Sequence, residues 1–185
     1  ATAHADTPKS LVVPPGFSVE TLNFTAPNAR QMALTENGTL ILGTRRAGNV
    51  YAVPNALSAV EPQVITLLSD LRLPSGVALQ DGDLYNGAVD RSLKVTNIDK
   101  QLKADVPYSV ITDQLPGETH HGWKYLKFGP DNALYVPVGA PCNICLSPDP
   151  RFASLLKMDP ASGETTIYAH GIRHTVGFAW HPEYD

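Results

Sequence analysis

The chain has 185 residues, enough for one domain with a sizeable core, and 43% of them are hydrophobic against 17% charged. That balance excludes wholesale disorder. Fourteen Lys and Arg against eighteen Asp and Glu give a net charge of −4. With no basic run in view, nucleic acid is excluded as a partner, and so is an anionic membrane surface. No apolar stretch approaches the roughly 20 residues that span a bilayer.

The opening ATAHADTPKS is small and polar. Ala3-His4-Ala5 has the small-x-small form found on the left of a signal-peptidase cut. Residues 1–15 are therefore read as a flexible N-terminal segment of an exported protein, secreted or periplasmic, and 16–185 as a partial propeller domain. Two sequons, Asn23-Phe24-Thr25 and Asn37-Gly38-Thr39, agree with export where a eukaryotic secretory pathway is used.

From there, 16 Pro and 14 Gly punctuate short apolar runs, the texture of an all-β chain. A loose repeat recurs in 32–53, in 76–98, in 125–140 with its continuation 155–169, and in 176–185. Each repeat pairs an apolar run with a turn and a second apolar run. The turns are Glu36-Asn37-Gly38, Gln80-Asp81-Gly82-Asp83, Pro130-Asp131-Asn132 and, closing the third repeat, Asp159-Pro160-Ala161-Ser162-Gly163. They carry residues that tolerate positive φ or pre-set a bend. Equivalent positions Leu34, Leu79, Phe128 and Trp180 lie 45 to 52 residues apart. That period suits four-stranded propeller blades. Helical periodicity is nearly absent; a short helical turn around Asn55 is the one candidate. The expectation is three blades plus the first strand of a fourth. A closed propeller needs about four to eight blades, so the chain reads as part of a larger assembly, the remaining half being another chain or a further segment.

Six His are present. His120-His121, in GETHHGWKY, precede the first strand of the third repeat. In a propeller that loop opens at the mouth of the central channel. An imidazole there suits a general base, since it titrates near neutral pH; the plain alternative is a loop His binding backbone groups. Arg173-His174 take the same relative place in the fourth repeat, where a guanidinium fork can grip a carboxylate or polarise a carbonyl. A surface ion pair is the alternative. Arg45-Arg46 and Asp90-Arg91 follow the second strands of their repeats and read as solvated turns. Cys142-Asn143-Ile144-Cys145 is compatible with a disulfide, a redox motif or half a metal site. No further ligands have zinc spacing and no βαβ context is present, so a loop-closing disulfide is the simplest reading. Dinucleotide, P-loop and nucleophile-elbow motifs are missing.

HHGWKYLKFGPDNALYVPVGAPCNIC, LPSGVALQDGDLY and HGIRHTVGFAWHP resemble the soluble glucose/sorbosone dehydrogenase family, with the PCNxC segment pointing to its sorbosone dehydrogenase branch. The resemblance runs from about Gly16 to Asp185. It implies a six-bladed propeller that oxidises an aldose or sorbosone-type sugar with pyrroloquinoline quinone and Ca2+, passing electrons on to an acceptor such as a cytochrome or a membrane quinone. By position, His121, eight residues before Gly129, matches the catalytic base. Arg173 matches the Arg that contacts the quinone oxygens, and His120 and His174 become cofactor neighbours. The sequence departs from the family at His174, where Asn is usual, and at Ser75-Gly76, where a Gln is expected. The family's calcium loop and its later basic residues correspond to nothing before Asp185, so no metal ligand is assigned within this chain and these residues alone are expected to lack quinone-dependent activity. Two other readings stay open. One is a calcium-dependent propeller lactonase, for which Glu36 and Glu118 are the available carboxylates. The other is a non-catalytic propeller that binds a partner.

Overall fold

The computed structural model describes residues 11–183. His4 and the signal-peptidase pattern lie outside them. Twelve strands form three four-stranded antiparallel sheets, each a meander in chain order. The first contains β1 (Ala29–Leu34), β2 (Leu40–Thr44), β3 (Val50–Val53) and β4 (Ile65–Leu68). The second contains β5 (Gly76–Gln80), β6 (Asp83–Gly87), β7 (Ser92–Val95) and β8 (Ser109–Thr112). The third contains β9 (Lys127–Phe128), β10 (Leu134–Val138), β11 (Ser154–Met158) and β12 (Thr165–His170). This is the all-β propeller architecture that the repeat implied, about half of a six-bladed ring.

The repeat positions fall where the blade geometry requires. Leu34, Leu79 and Phe128 lie at, or one residue before, the end of the first strand of a blade, opposite Leu40, Leu84 and Leu134. The turns between carry left-handed residues at Asp81, Asn132 and Gly38, the side chains for which that region costs least. Around Asn55 the chain makes one helical turn, Asn55 C=O accepting from the Ser58 and Ala59 N–H groups, and goes no further.

Blades stack face to face. Ile41, Val50, Ala52 and Leu67 of the first blade meet Val77, Leu84, Leu93 and Val95 of the second in one buried cluster. Ala78 and Tyr85 on the second blade's other face meet Leu126, Leu134, Val136 and Leu156 of the third. The two outer faces are partly covered by non-strand chain. Leu22, Phe24 and Ala26 pack on Leu42 and Tyr51, while Phe178 and Trp180 pack on Tyr135 and Leu155.

First strands face one another at the centre, where Gln31 on β1 joins all three blades. Its Oε1 accepts from the N–H groups of Val77 and Leu126 (3.0 and 2.9 Å) and its Nε2 donates to the Leu126 carbonyl at 2.7 Å. A side-chain amide thus completes a backbone ladder between blades.

The fourth repeat departs from expectation. Residues 172–183 contain no strand. Trp180 instead donates its indole N–H to the Phe128 carbonyl (2.9 Å) and packs edge-on against Tyr135. A strand needs a ladder partner, and among the described residues none runs alongside this segment.

Candidate functional site

His120 and His121 sit in a tight turn, closed by Gly122 N–H donating to the Thr119 carbonyl at 3.1 Å. His121 takes φ +50°, a left-handed conformation that costs a non-glycine residue about 1–2 kcal/mol. Such outliers collect where function over-determines the backbone. Two features hold this one. Nδ1–H of His121 donates to the Ala140 carbonyl at 2.9 Å. Gly139, just beyond β10, leaves the space: a Cβ there would lie 2.3 Å from the His121 carbonyl oxygen.

The carbonyl partner fixes the tautomer. A carbonyl only accepts, so the ring proton of neutral His121 stays on Nδ1, and the lone pair is left on Nε2. Ala140 also donates its own N–H to the Arg173 carbonyl at 2.8 Å. Ala140, two residues beyond β10, therefore anchors both residues singled out from the sequence. The Arg173 side chain is exposed.

His174 is half-buried, its ring 5.4 Å from that of His121 and edge-on to Trp123 at 4.2 Å. Burial, followed by repulsion from the neighbouring His121, lowers its pKa below the ordinary imidazole value. His120 is exposed; its Nε2–H donates to the Asn143 side-chain carbonyl at 3.1 Å. Asn143 lies inside the Cys142–Cys145 disulfide, which forms as the spacing suggested.

Arg45 corrects the sequence reading. It is not a solvated turn residue: its guanidinium stacks 3.8 Å over the Trp123 ring, and its Nε is buried. The pairing spans 78 residues and leaves no local signal. Arg46 is exposed. Asp90 pairs with Arg91 and Arg72 at 3.0 and 3.3 Å, as a surface turn would. Hydrogen bonding from Arg91 lowers the Asp90 carboxyl below its ordinary value.

Lys124 was invisible to pattern reasoning. Its side chain is only 2% exposed and its ammonium has no hydrogen-bond partner. It runs over Gly76 and Gly87, where added Cβ atoms would come within 3.2 and 3.1 Å of the Lys124 Cβ. Burial pushes its pKa down to about 7, partly opposed by Asp90. Ser75, at the departure from the family pattern, donates its hydroxyl to the Lys124 carbonyl at 2.8 Å. Gly76 lies against the Leu126 side chain. Both are structural here.

Beside Trp123 opens a cavity of roughly 220 Å³, lined by Gln31, Ser75, Trp123, Lys124, Tyr125 and Val176 among others. Four buried polar atoms at this end lack a hydrogen-bond partner: Arg45 Nε, Trp123 Nε1, His174 Nε2 and Thr175 Oγ1. Orphaned groups this concentrated call for a partner that the described residues do not supply. Glu36 lies in the β1–β2 turn, at the far end of the blade from Arg45, and Glu118 lies three residues before His121. Among the described residues no group of three His, Cys, Asp or Glu is placed to hold a metal ion, and no helix is long and apolar enough to cross a membrane.

The site and sheets together define a partial β-propeller with an imidazole–guanidinium cluster at one end of its first strands. The comparisons agree with that class. The chain resembles, at TM-score 0.76 and 15% identity, the holo form of the pyranose dehydrogenase PQQ domain from Coprinopsis cinerea, over 94% of this chain and 46% of that one. It resembles, at TM-score 0.60 and 18% identity, the PQQ-bound aldose sugar dehydrogenase from Streptomyces coelicolor, over 78% of this chain and 48% of that one. An uncharacterized protein of Borreliella burgdorferi is 28% identical, over 94% of this chain and 47% of its own length. The chain thus spans about half the length of the curated relative it matches. No protein-family model matches it. The fold is that of the PQQ-dependent sugar dehydrogenase propellers; a fold hosts many chemistries, so activity rests on the site.

Proposed function

We propose that these residues form the base-bearing part of a quinone-dependent dehydrogenase acting on an aldose or a sorbosone-type sugar. The observation that carries the reading is the His121 Nδ1–H bond to Ala140, which leaves Nε2 free as acceptor. His121 Nε2 takes the proton of the sugar's C1 hydroxyl; a positioned base of this kind contributes about 10²- to 10⁴-fold in rate.

Pyrroloquinoline quinone is planar and carries three carboxylates. The residues present fit it: Arg45, Trp123 and His174 offer a guanidinium, a flat indole and unspent buried polar atoms, and the exposed Arg173 beside His174 adds a second cationic fork. When bound, the quinone supplies the hydride acceptor. Arg173 holds negative charge in place through its planar fork. His174, whose charged form burial disfavours, offers Nε2 as a polar contact. Trp123 and Arg45 wall the site against water.

Calcium is a different matter. The described residues do not gather the carboxylates it needs. With a net charge of −4, further cations for the cofactor also have to come from the other half of the ring. An acceptor of the cytochrome or quinone type would take the electrons from the bound cofactor. The disulfide favours a secreted or periplasmic setting, where oxidised cysteines persist.

The test reconstitutes the complete protein with pyrroloquinoline quinone and Ca2+ and follows dye reduction with aldoses. His121→Ala is expected to lower the rate within the range just given. A folded, reconstituted protein that reduces no dye with any aldose or sorbosone defeats the proposal. Lactone opening without quinone would move the assignment to a hydrolase.

A further inference from the structure

The Cys142–Cys145 loop does more than close on itself. Its side chains are largely exposed: Ile144 is 97% accessible, as is Leu146 just beyond it at 101%, and the loop contains no strand or helix. It nevertheless delivers one contact to the site. The Asn143 side-chain carbonyl accepts from His120 Nε2–H at 3.1 Å. The His120 ring in turn stands edge-on to His121, centroids 4.2 Å apart and planes 81° apart. On the other side of the same loop, Ala140 accepts from His121 Nδ1–H at 2.9 Å. Residues 139–145 thus grip the histidine pair twice, once directly and once through His120.

We propose that the disulfide is a positioning device for His121: by holding Asn143 in place it fixes the His120 ring as a wall that keeps the His121 imidazole on the Ala140 carbonyl. The reason is entropic. A solvent-exposed hydrogen bond contributes less than the cost of ordering a free loop residue, so Asn143 on an open chain would not hold His120. The cross-link between Cys142 and Cys145 leaves Asn143 one of only two residues in the closed loop. Its ordering is carried by the covalent bond rather than by the hydrogen bond. His121, in a left-handed turn position, has little else to hold its ring: Gly122 follows it, and the tilted His174 ring stands 5.4 Å away. Asn143 and the cystine are therefore positioning residues, acting through His120. The assignment rests on His121 being the functional imidazole, but its readout needs no catalysis.

The experiment uses the full chain, with histidine ring nitrogens labelled and read by NMR; His121→Gln identifies the His121 signal. In the oxidised protein His121 is expected as the Nδ1–H tautomer. Asn143→Leu, at an exposed position, is expected to abolish the dominance of that tautomer while amide dispersion stays native. Asn143→Asp, which still accepts from His120, is expected to preserve it. Reduction of the accessible disulfide by a phosphine is expected to act like Asn143→Leu. A His121 signal unchanged both in Asn143→Leu and after reduction overturns the proposal. Failure of the dye-reduction assay leaves this readout untouched, so the two readings fail separately.

Discussion

Replacing Lys124 by Met tests the most costly feature of the structure. The lysine stem fills the lane over Gly76 and Gly87, and Met is nearly isosteric with it, so packing is kept while the unpartnered ammonium is removed. Burial lowers the lysine pKa from 10.5 to about 7. At about 1.4 kcal/mol for each factor of ten, that gap corresponds to roughly 5 kcal/mol of destabilisation when the amine is charged in the folded state. The sign follows from proton counting. Between pH 7 and 10.5 the unfolded chain holds a proton on Lys124 that the folded chain has released, so stability rises with pH across that window. Below pH 7 both states are protonated and the whole cost is present; above 10.5 it is gone. Lys124→Met is therefore expected to raise the unfolding free energy by up to about 5 kcal/mol at pH 6 to 7, the gain shrinking towards zero by pH 10.5. Urea denaturation of both proteins at intervals across that range measures the difference, and groups that titrate in both cancel. A variant no more stable at pH 7, or a gain independent of pH, would show that the ammonium is satisfied or hydrated, and the reasoning would fail.

Two further substitutions probe how the blades and the site are held. Gln31→Leu removes three hydrogen bonds and strands the buried N–H groups of Val77 and Leu126. It is expected to cost about 2–4 kcal/mol by urea denaturation; a loss below about 0.5 kcal/mol would mean the first strands are joined by packing alone. Gly139→Ala places a methyl 2.3 Å from the His121 carbonyl oxygen and 2.5 Å from its Cβ. A cost of about 1–3 kcal/mol is expected, together with loss of the His121 Nδ1–H signature in NMR. Retention of that signature would show that the turn has room to move.

Much of the blade was legible because its signals are local. The 45–52-residue period, the Asn-Gly, Asp-Gly and Pro-Asp turns and the alternating runs are each decided by neighbours in sequence. Leu34, Leu79 and Phe128 duly fall at one station of three successive blades. The cystine was legible for the same reason: its partners are three residues apart. His120, His121, Arg173 and His174 could be named from their place before repeated strands and from family resemblance. Their geometry could not: it depends on Ala140, which reaches both sides through its backbone, and on Gly139, whose value lies in the atom it lacks.

What only the tertiary structure decided is long-range and electrostatic. Arg45, just after β2, meets Trp123 ahead of the third blade, and Gln31 acts as a piece of backbone between blades. The strand expected near Trp180 is not formed, because a ladder needs a partner that local sequence does not provide. Lys124 shows the limit most plainly. Hydropathy assigns it to solvent, but its place three residues before β9, at the entry to the third blade, turns it towards the second, over two glycines. Local chemistry therefore set the blade, its turns and its loop-closing bond. Which charges lose their water was settled only when the blades stacked, because desolvation depends on everything that surrounds a group and not on the residues beside it in the chain.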